Sequence, residues 1–465
     1  MDKVKVLVVG GGPGGYAAAF LAADLGLETV LVDCEANPGG VCLYRGCIPS
    51  KALLHAARII TEAKDAAAIG LAFSAPAVDV DKLRSWKDGI VRRLTGGLGM
   101  LAKQRKIRLI QGRAKFIDPH TVEIDGHGKL GFEHAIVATG SRPAPLPGIQ
   151  LESERLWDSS DALALKNIPQ SLLVIGGGYI GLEMGTLYAA LGTRVTTVEM
   201  LPALLPGADK DLVDILSRRV RKNFEAVFLA SKVAAIEEAP DGLKVLFEGR
   251  PEQLFENVLV AVGRKPNSAG LGLENTKVGI DERGFIVADD QARTAEPSIF
   301  AIGDVAGEPM LAHKASHEGR AAVRVIAGED VRFAPKAIPG VVFTDPEAAW
   351  CGLTEAQAAK DERRIEVLRF PWAASGRALT LNRTDGMTKL IVEPGSGTVL
   401  GAGIVGAGAG DLIAEAALAV EAGITAKELA HVIHAHPTTS ETLMEAAEIL
   451  SGTCTHIYRP KHAQR

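Results

Sequence analysis

Cys42 and Cys47 lie in the run Gly39-Gly40-Val41-Cys42-Leu43-Tyr44-Arg45-Gly46-Cys47-Ile48-Pro49-Ser50-Lys51. Two thiols at this spacing can serve as a redox pair. On a regular helix, which rises about 1.5 Å per residue, their sulfurs would stand too far apart to bond. A disulfide here therefore requires a distorted turn, and Gly46 has the backbone freedom to make one. Pro49 suits the first turn of a helix, which would leave Cys47 near the positive helix end, where a thiolate is favoured. The alternative is two unrelated buried thiols, the default for cysteines without a secretory signal.

A second chemical candidate comes 389 residues after Cys47 (436 − 47), in His434-Ala435-His436-Pro437-Thr438-Thr439-Ser440-Glu441. Glu441 admits two roles. Thr438-x-x-Glu441 matches a capping box, and a carboxylate at that position could also hold the His436 imidazole in one orientation.

Both candidates need a scaffold, and the glycines describe one. Residues 4–9 read as a fully buried parallel strand, followed by Gly10-Gly11-Gly12-Pro13-Gly14-Gly15, an alanine-rich helix and a strand ending at Asp33. This is a dinucleotide fingerprint in context. Gly10 makes the turn, Gly12 admits a pyrophosphate, Gly15 lets helix pack on strand, and Asp33 faces a ribose. The unit recurs as Gly176-Gly177-Gly178-Tyr179-Ile180-Gly181, with Glu199 in place of Asp33. One offset relates the copies, since 176 − 10 and 199 − 33 both equal 166. Two dinucleotide sites in one chain suggest that one cofactor passes electrons to the other.

Between the copies, 53–68 and 82–104 predict helices, while 107–117 and 121–124 predict strands. An apolar strand ends at Ala138-Thr139-Gly140, and 143–147 marks a proline-rich linker. Beyond the second copy, 258–262 predicts a buried strand before Gly263-Arg264-Lys265-Pro266-Asn267. Another strand ends on Gly303-Asp304, whose carboxylate could meet a ligand, cap a helix before Ala306, or do both. From about Phe343 the texture becomes α+β: strands at 365–370, 387–392 and 399–405, then helices at 410–422, 426–433 and 442–451. The weakly charged stretch 412–420 is a candidate subunit interface. Residues 218–222 and 361–364 read as solvated faces, and 459–465 as a frayed tail.

Composition sets the bounds. A chain of 465 residues with 47% hydrophobic and 23% charged residues is globular and too long for one core. A net charge of −5 argues against nucleic acid as a partner. Five cysteines suit a redox pair in a reducing cytoplasm, with Cys34, Cys351 and Cys454 as inert thiols. No signal peptide is expected, and the apolar region 4–32 is broken by glycines, so no membrane span is expected.

Taken together, these motifs resemble the flavin-linked disulfide reductases (class I pyridine nucleotide-disulfide oxidoreductases), and within them the dihydrolipoyl dehydrogenases. The resemblance runs the length of the chain and includes Ala312-His313-Lys314. It implies an α/β fold with two Rossmann-like dinucleotide-binding domains and a C-terminal α+β dimerisation domain. The implied FAD domain, with a central region, covers 1–145 and 276–343, the NAD domain 146–275, and the interface domain 344–465. FAD would be held by Gly10, Gly12, Gly15, Asp33, Lys51, Thr139, Gly140, Asp304 and Ala312. NAD would be held by Gly176, Gly178, Gly181, Glu199 and Gly263. Glu199 would repel a 2′-phosphate, and Met200-Leu201-Pro202 offers no arginine to bind one. Lys51 would sit near the flavin paired with Glu183.

In this resemblance the thiolate of a dihydrolipoamide attacks a Cys42–Cys47 disulfide, and His436 of a homodimer partner, oriented by Glu441, takes the proton. Cys42 would be the more exposed interchange thiol, and Cys47 the thiolate in charge transfer with the flavin. The partner would be a lipoyl-domain protein of a multienzyme complex. Related alternatives are a glutathione- or mercuric-reductase-like enzyme and a non-catalytic flavoprotein docking subunit. Tyr44-Arg45 depart from the pattern, which has asparagine and a small apolar residue there. Arg45 is expected either to favour a cysteine thiolate or to contact an acidic carrier.

Overall fold

In the computed structural model, residues 2–458 are described. The apolar strand β1 (Lys3–Val9) runs into α1 (Pro13–Asp24), opened by Pro13, and the chain returns as β2 (Thr29–Asp33), parallel to β1. Three helices follow: α2 (Gly40–Arg45), α3 (Cys47–Asp65) and α4 (Val80–Gln104). α3 begins earlier than the sequence predicts, because Pro49 in its first turn needs no backbone donor.

The strand expected over 107–117 is two strands, β3 (Arg108–Gln111) and β4 (Ala114–Asp118). The break is at Gly112, where a Cβ would come within 3.0 Å of the Asp125 carbonyl oxygen. β3 pairs parallel with β2, while β4 turns back against β5 (Thr121–Ile124). β6 (Gly128–Val137) serves both arrangements, lying antiparallel to β5 and parallel to β1. The order is β3-β2-β1-β6-β5-β4, and Ile299–Ala301 adds a further parallel strand to β6.

The chain leaves this sheet through β7 (Ser141–Pro143), at the start of the expected linker. The second unit holds β8 (Leu156–Trp157), α5 (Ser159–Ala164), β9 (Ser171–Ile175), α6 (Tyr179–Ala190), β10 (Arg194–Val198), α7 (Lys210–Asn223) and β11 (Ala226–Phe228). An antiparallel meander then adds β12 (Val233–Ala239), β13 (Gly242–Phe247) and β14 (Arg250–Phe255), before β15 (Asn257–Val260) and β16 (Arg264–Pro266). The parallel order is β11-β10-β9-β15-β8. The meander has no counterpart in the sequence expectations, since its alternation is blurred by adjacent exposed residues such as Glu237 and Glu238. β16 pairs antiparallel with β7, so the two crossings brace each other.

After β17 (Ile299–Ala301) comes α8 (Ala312–Ile326), which crosses α1 closely: a Cβ on Gly319 would come within 2.6 Å of the Gly14 carbonyl oxygen. The C-terminal part has the expected α+β character. β18 (Gly340–Val342), β19 (Glu347–Gly352), β20 (Glu366–Pro371), β21 (Met387–Val392) and β22 (Val399–Gly406) form an antiparallel sheet in the order β18-β19-β22-β21-β20. Its helices are α9 (Glu355–Lys360), α10 (Gly376–Thr380), α11 (Ala409–Ala422), α12 (Ala426–His431) and α13 (Glu441–Ser451). The expected tail at 459–465 lies outside the described residues. No helix among the described residues is long and apolar enough to cross a membrane.

Two charged groups join these units. The 218–222 stretch is not uniformly solvated: Arg219 is only 15% exposed, paired with Asp65 at the end of α3 and with Asp345 before β19. Lys389 on β21 is 1% exposed and reaches Asp209, Asp211 and Glu355, each at 2.7 Å. Removing the cation would leave the buried Asp209 without an ion partner and Asp211 and Glu355 sharing Arg369 alone. Lys389→Met is expected to lower unfolding stability by about 3–5 kcal/mol, read from the urea midpoint.

Candidate active site

Gly46 alone separates α2 from α3, at φ −140° and ψ −114°. A Cβ there would stand 2.8 Å from the Val41 carbonyl oxygen, so this is the distorted turn that the cysteine spacing demands. Cys42 lies on α2 and Cys47 is the first residue of α3. Both are free thiols, and Cys42 donates a hydrogen bond to Cys47. That bond, with help from the Lys51 charge, outweighs burial and lowers Cys47 to about 7. The same bond, with burial, pushes the Cys42 thiol up. Cys47, not Cys42, is the more exposed of the two, contrary to expectation. As the first residue of α3 it faces an open cavity that both thiols line.

The cavity has a volume of about 310 Å³ and is floored by the first fingerprint. Gly10 sits at φ +107°, and a Cβ on it would come within 2.3 Å of the Ala138 carbonyl oxygen. A Cβ on Gly15 would lie 1.8 Å from the Gly10 oxygen, so α1 packs on its own turn. Gly12 caps α1 and faces Gly40, whose own Cβ would be 2.5 Å from the Gly12 Cα. The floor is therefore bare backbone at a helix N-terminus, which fits a dinucleotide pyrophosphate. At one end Asp33 accepts from the Gly11 N–H at 2.5 Å and the Glu35 N–H at 2.8 Å.

Thr139, Gly140, Asp304 and Ala312 line the same cavity. Asp304 does not cap a helix; it accepts from the Ser141 hydroxyl at 2.5 Å, which in turn accepts from Arg264 Nε at 2.7 Å. Thr139 donates to the Asn267 carbonyl at 2.8 Å. Ala312 is the first residue of α8. These positions suit FAD, whose adenosine, pyrophosphate and ribityl groups need an acid, a helix N-terminus and a second acid respectively.

Lys51 also opens onto this space. Its ammonium lies 3.0 and 2.9 Å from the two carboxylate oxygens of Glu183, which is 3% exposed. The Ser50 hydroxyl and the Phe343 backbone N–H each donate to Glu183 at 3.0 Å. Sequence reasoning missed Ser50, Phe343, Ser141 and the role of Arg264. Arg264 and Asn267 stood within a noted turn; the backbone of Phe343 leaves no sequence signal.

The second fingerprint repeats the first at the same offset. Gly176 has φ +113°, and Glu199 accepts from Gly177 and Leu201 N–H groups, both at 2.7 Å. A Cβ on Gly181 would come within 2.1 Å of the Gly176 oxygen, while one on Gly178 would meet nothing within 4 Å. Gly263, at φ +128°, turns the chain away after β15. None of Gly176, Gly178, Gly181, Glu199 and Gly263 lines the first cavity, yet Tyr179 and Ile180 from the first turn of α6 do. The two cradles thus share one helix.

His436 and Glu441 do not line the cavity of their own chain. His436 is 74% exposed, with Nδ1 at 2.9 Å from the Glu441 carboxylate. Glu441 also accepts from the Thr438 N–H at 2.7 Å, one half of the expected capping box. The other half is absent, because the helix starts at Glu441 with Ser440 as its N-cap and no side-chain cap bond forms. Burial pushes the Glu441 carboxyl up, but the Thr438 N–H and the His436 ring hold it below the usual carboxylate range. Nearby, Ile433 is 96% exposed and Leu418 of the expected interface stretch is exposed too. Arg45 is paired with Glu35 of its own chain and not with either thiol of the cysteine pair. Burial raises Cys351 and Cys454 to about 12 and also raises Cys34, in keeping with inert thiols.

In the reduced protein, Cys47 is expected to alkylate with a midpoint near pH 7 while Cys42 stays protonated. Lys51→Met and Cys42→Ala should each move that midpoint upward, and Cys42→Ser, which keeps a donor, should not. Mass-spectrometric alkylation across a pH series measures this.

The family model described as pyridine nucleotide-disulphide oxidoreductase matches residues 4–319, and that of the family's dimerisation domain matches 338–447. A dihydrolipoyl dehydrogenase of Vibrio cholerae is 49% identical, covering 99% of this chain and 98% of its own. One from Geobacillus stearothermophilus is 45% identical over 98% of each. The structure of LpdA from Mycobacterium tuberculosis superposes with a TM-score of 0.90 at 26% identity, covering 97% of this chain and 100% of its own. With its cysteine pair, twin fingerprints and terminal His-Glu couple in one order along the chain, the protein belongs to the pyridine nucleotide-disulphide oxidoreductases, among the dihydrolipoyl dehydrogenases.

Proposed function

We propose that this protein oxidises the dihydrolipoamide of a lipoyl-domain carrier in a multienzyme complex and reduces NAD⁺ to NADH. It is an oxidoreductase of a family that uses FAD and NAD(H). The observation that carries the reading is the Cys42–Cys47 pair beside the Lys51–Glu183 ion pair, in the cavity floored by the first fingerprint. Bound FAD would supply the chemistry that takes an electron pair from Cys47 and delivers it to NAD⁺ as hydride.

The chain's own residues do the rest. In the oxidised state, a substrate thiol gives its proton to His436 of the partner subunit and attacks Cys42 sulfur, releasing Cys47 as a thiolate. The second substrate thiol then attacks the mixed disulfide, closing the lipoyl ring and passing its proton to the departing Cys42 sulfur. Glu441 holds the His436 ring through Nδ1, leaving Nε2 free for the transfer. Lys51 and the α3 N-terminus favour the Cys47 thiolate. The matched dimerisation domain supports a homodimer. The exposed His436 and its apolar surroundings supply a face through which one subunit completes the other's site.

The domain division is 1–145 with 276–343 for FAD, 146–275 for NAD, and 344–465 for the interface, and the expected location is the cytoplasm. Glu199, a carboxylate held by two backbone N–H groups at the end of the second strand, would repel a 2′-phosphate, which supports NAD over NADP.

Anaerobic NADH formation from dihydrolipoamide tests the reading, with NADP⁺ and reduced glutathione as controls. Turnover should need dihydrolipoamide and NAD⁺ together; equal turnover with NADP⁺ or glutathione would refute it. His436→Ala should lower kcat by about 10²- to 10⁴-fold while leaving FAD bound.

A further inference from the structure

Tyr44 and Arg45, the two residues that depart from the resembled pattern, both turn back onto the loop after β2. The Arg45 guanidinium pairs with Glu35 and lies 6.0 Å from the centre of the Tyr44 ring. The Tyr44 hydroxyl donates to the Asn37 carbonyl at 3.0 Å. Asn37 packs against α4, where a Cβ on Gly99 would come within 2.1 Å of its Oδ1.

Glu35 is held at both ends. Its side chain meets Arg45, and its backbone N–H donates to Asp33 at 2.8 Å. Asp33 in turn accepts from Gly11 in the glycine turn, and Gly39, at the far end of the loop, donates to the Gly11 carbonyl at 2.7 Å. A continuous path therefore runs from Arg45 through Glu35 and Asp33 to Gly11. Arg45, Glu35 and Asp33 line one end of the cavity, and Arg45 is the sole ion partner of Glu35 among the described residues.

We propose that Arg45 is a positioning residue which, through Glu35, latches the 33–39 loop across the adenosine end of the cavity and slows escape of a bound adenine dinucleotide. This rests on the reading of that cavity as the FAD site. The ligand group concerned is the adenosine diphosphate half, whose ribose hydroxyls face Asp33. The Arg45 charge is spent on the loop and not on either thiol, so the latch acts on cofactor retention and leaves the thiol chemistry alone.

The test is the rate of FAD release from purified holoprotein, followed by flavin fluorescence after dilution into mild chaotrope. Arg45→Met and Glu35→Gln should each release FAD about twofold to fivefold faster, the range for a half-exposed ion pair. The charge-exchanged double variant, Arg45→Glu with Glu35→Arg, should return toward the wild-type rate. The Cys47 alkylation midpoint should stay unchanged in Arg45→Met. Unchanged release in both single variants of a protein that holds FAD, or a shifted Cys47 midpoint, would overturn the latch alone. A wild-type protein that neither carries nor takes up FAD would overturn the latch together with the cofactor reading.

Discussion

A buried carboxylate organises this molecule. Glu183 sits inside α6 of the second unit, yet its partners all come from outside that unit: Ser50 and Lys51 from α3, and the backbone of Phe343 just after β18. A charge so placed is costly unless every lone pair is answered. Here one oxygen takes Lys51 and Phe343, and the other takes Lys51 and Ser50. Meeting that demand fixes α3 against α6, and α3 begins with Cys47. The ion pair that positions Lys51 beside the thiol is thus also a joint between units. The ring of Phe343, 4.6 Å from the Lys51 nitrogen, covers the ammonium on one side.

The duplicated cradle shows one local solution used twice in the same chain. In each copy an acid at the end of the second strand accepts the N–H of the middle glycine and of the residue two places on. Each turn begins with a positive-φ glycine, and each helix begins after a glycine that leaves room for phosphate. The copies differ in what surrounds them. The first opens on the cavity with both cysteines, whereas the second lends that cavity only Tyr179, Ile180 and the α6 residues that follow. One helix therefore faces both the redox side and the nucleotide side.

Much of this was legible in the sequence because backbone constraints leave glycines at fixed spacing. Gly15 and Gly181 are required by contacts within their own turns, and Gly10 and Gly176 by the positive φ that opens each turn, so a local reading finds them. The break at Gly46 was legible for the same reason, as the cysteine spacing cannot fit a regular helix. Contacts between distant residues were not. The bonds of Ser141 with Asp304 and of Lys389 with Asp211 join residues separated by more than a hundred positions, and no local pattern marks their partners. The 107–117 run misled because apolar residues flank Gln111-Gly112-Arg113 on both sides, while the bend there is set by the contact of Gly112 with Asp125. His436 was found by its motif, but on its own chain it stands outside the cavity that the cysteines line.

The account stands or falls on electrons passing through the cysteine pair. The most direct measurement is a single-turnover titration: oxidised holoprotein, NAD⁺ and dihydrolipoamide under anaerobic conditions, with NADH and thiol state read together. One NADH per dihydrolipoamide should form with the wild type, and none with Cys42→Ser that retains FAD. NADH formation by Cys42→Ser at the wild-type yield would contradict it.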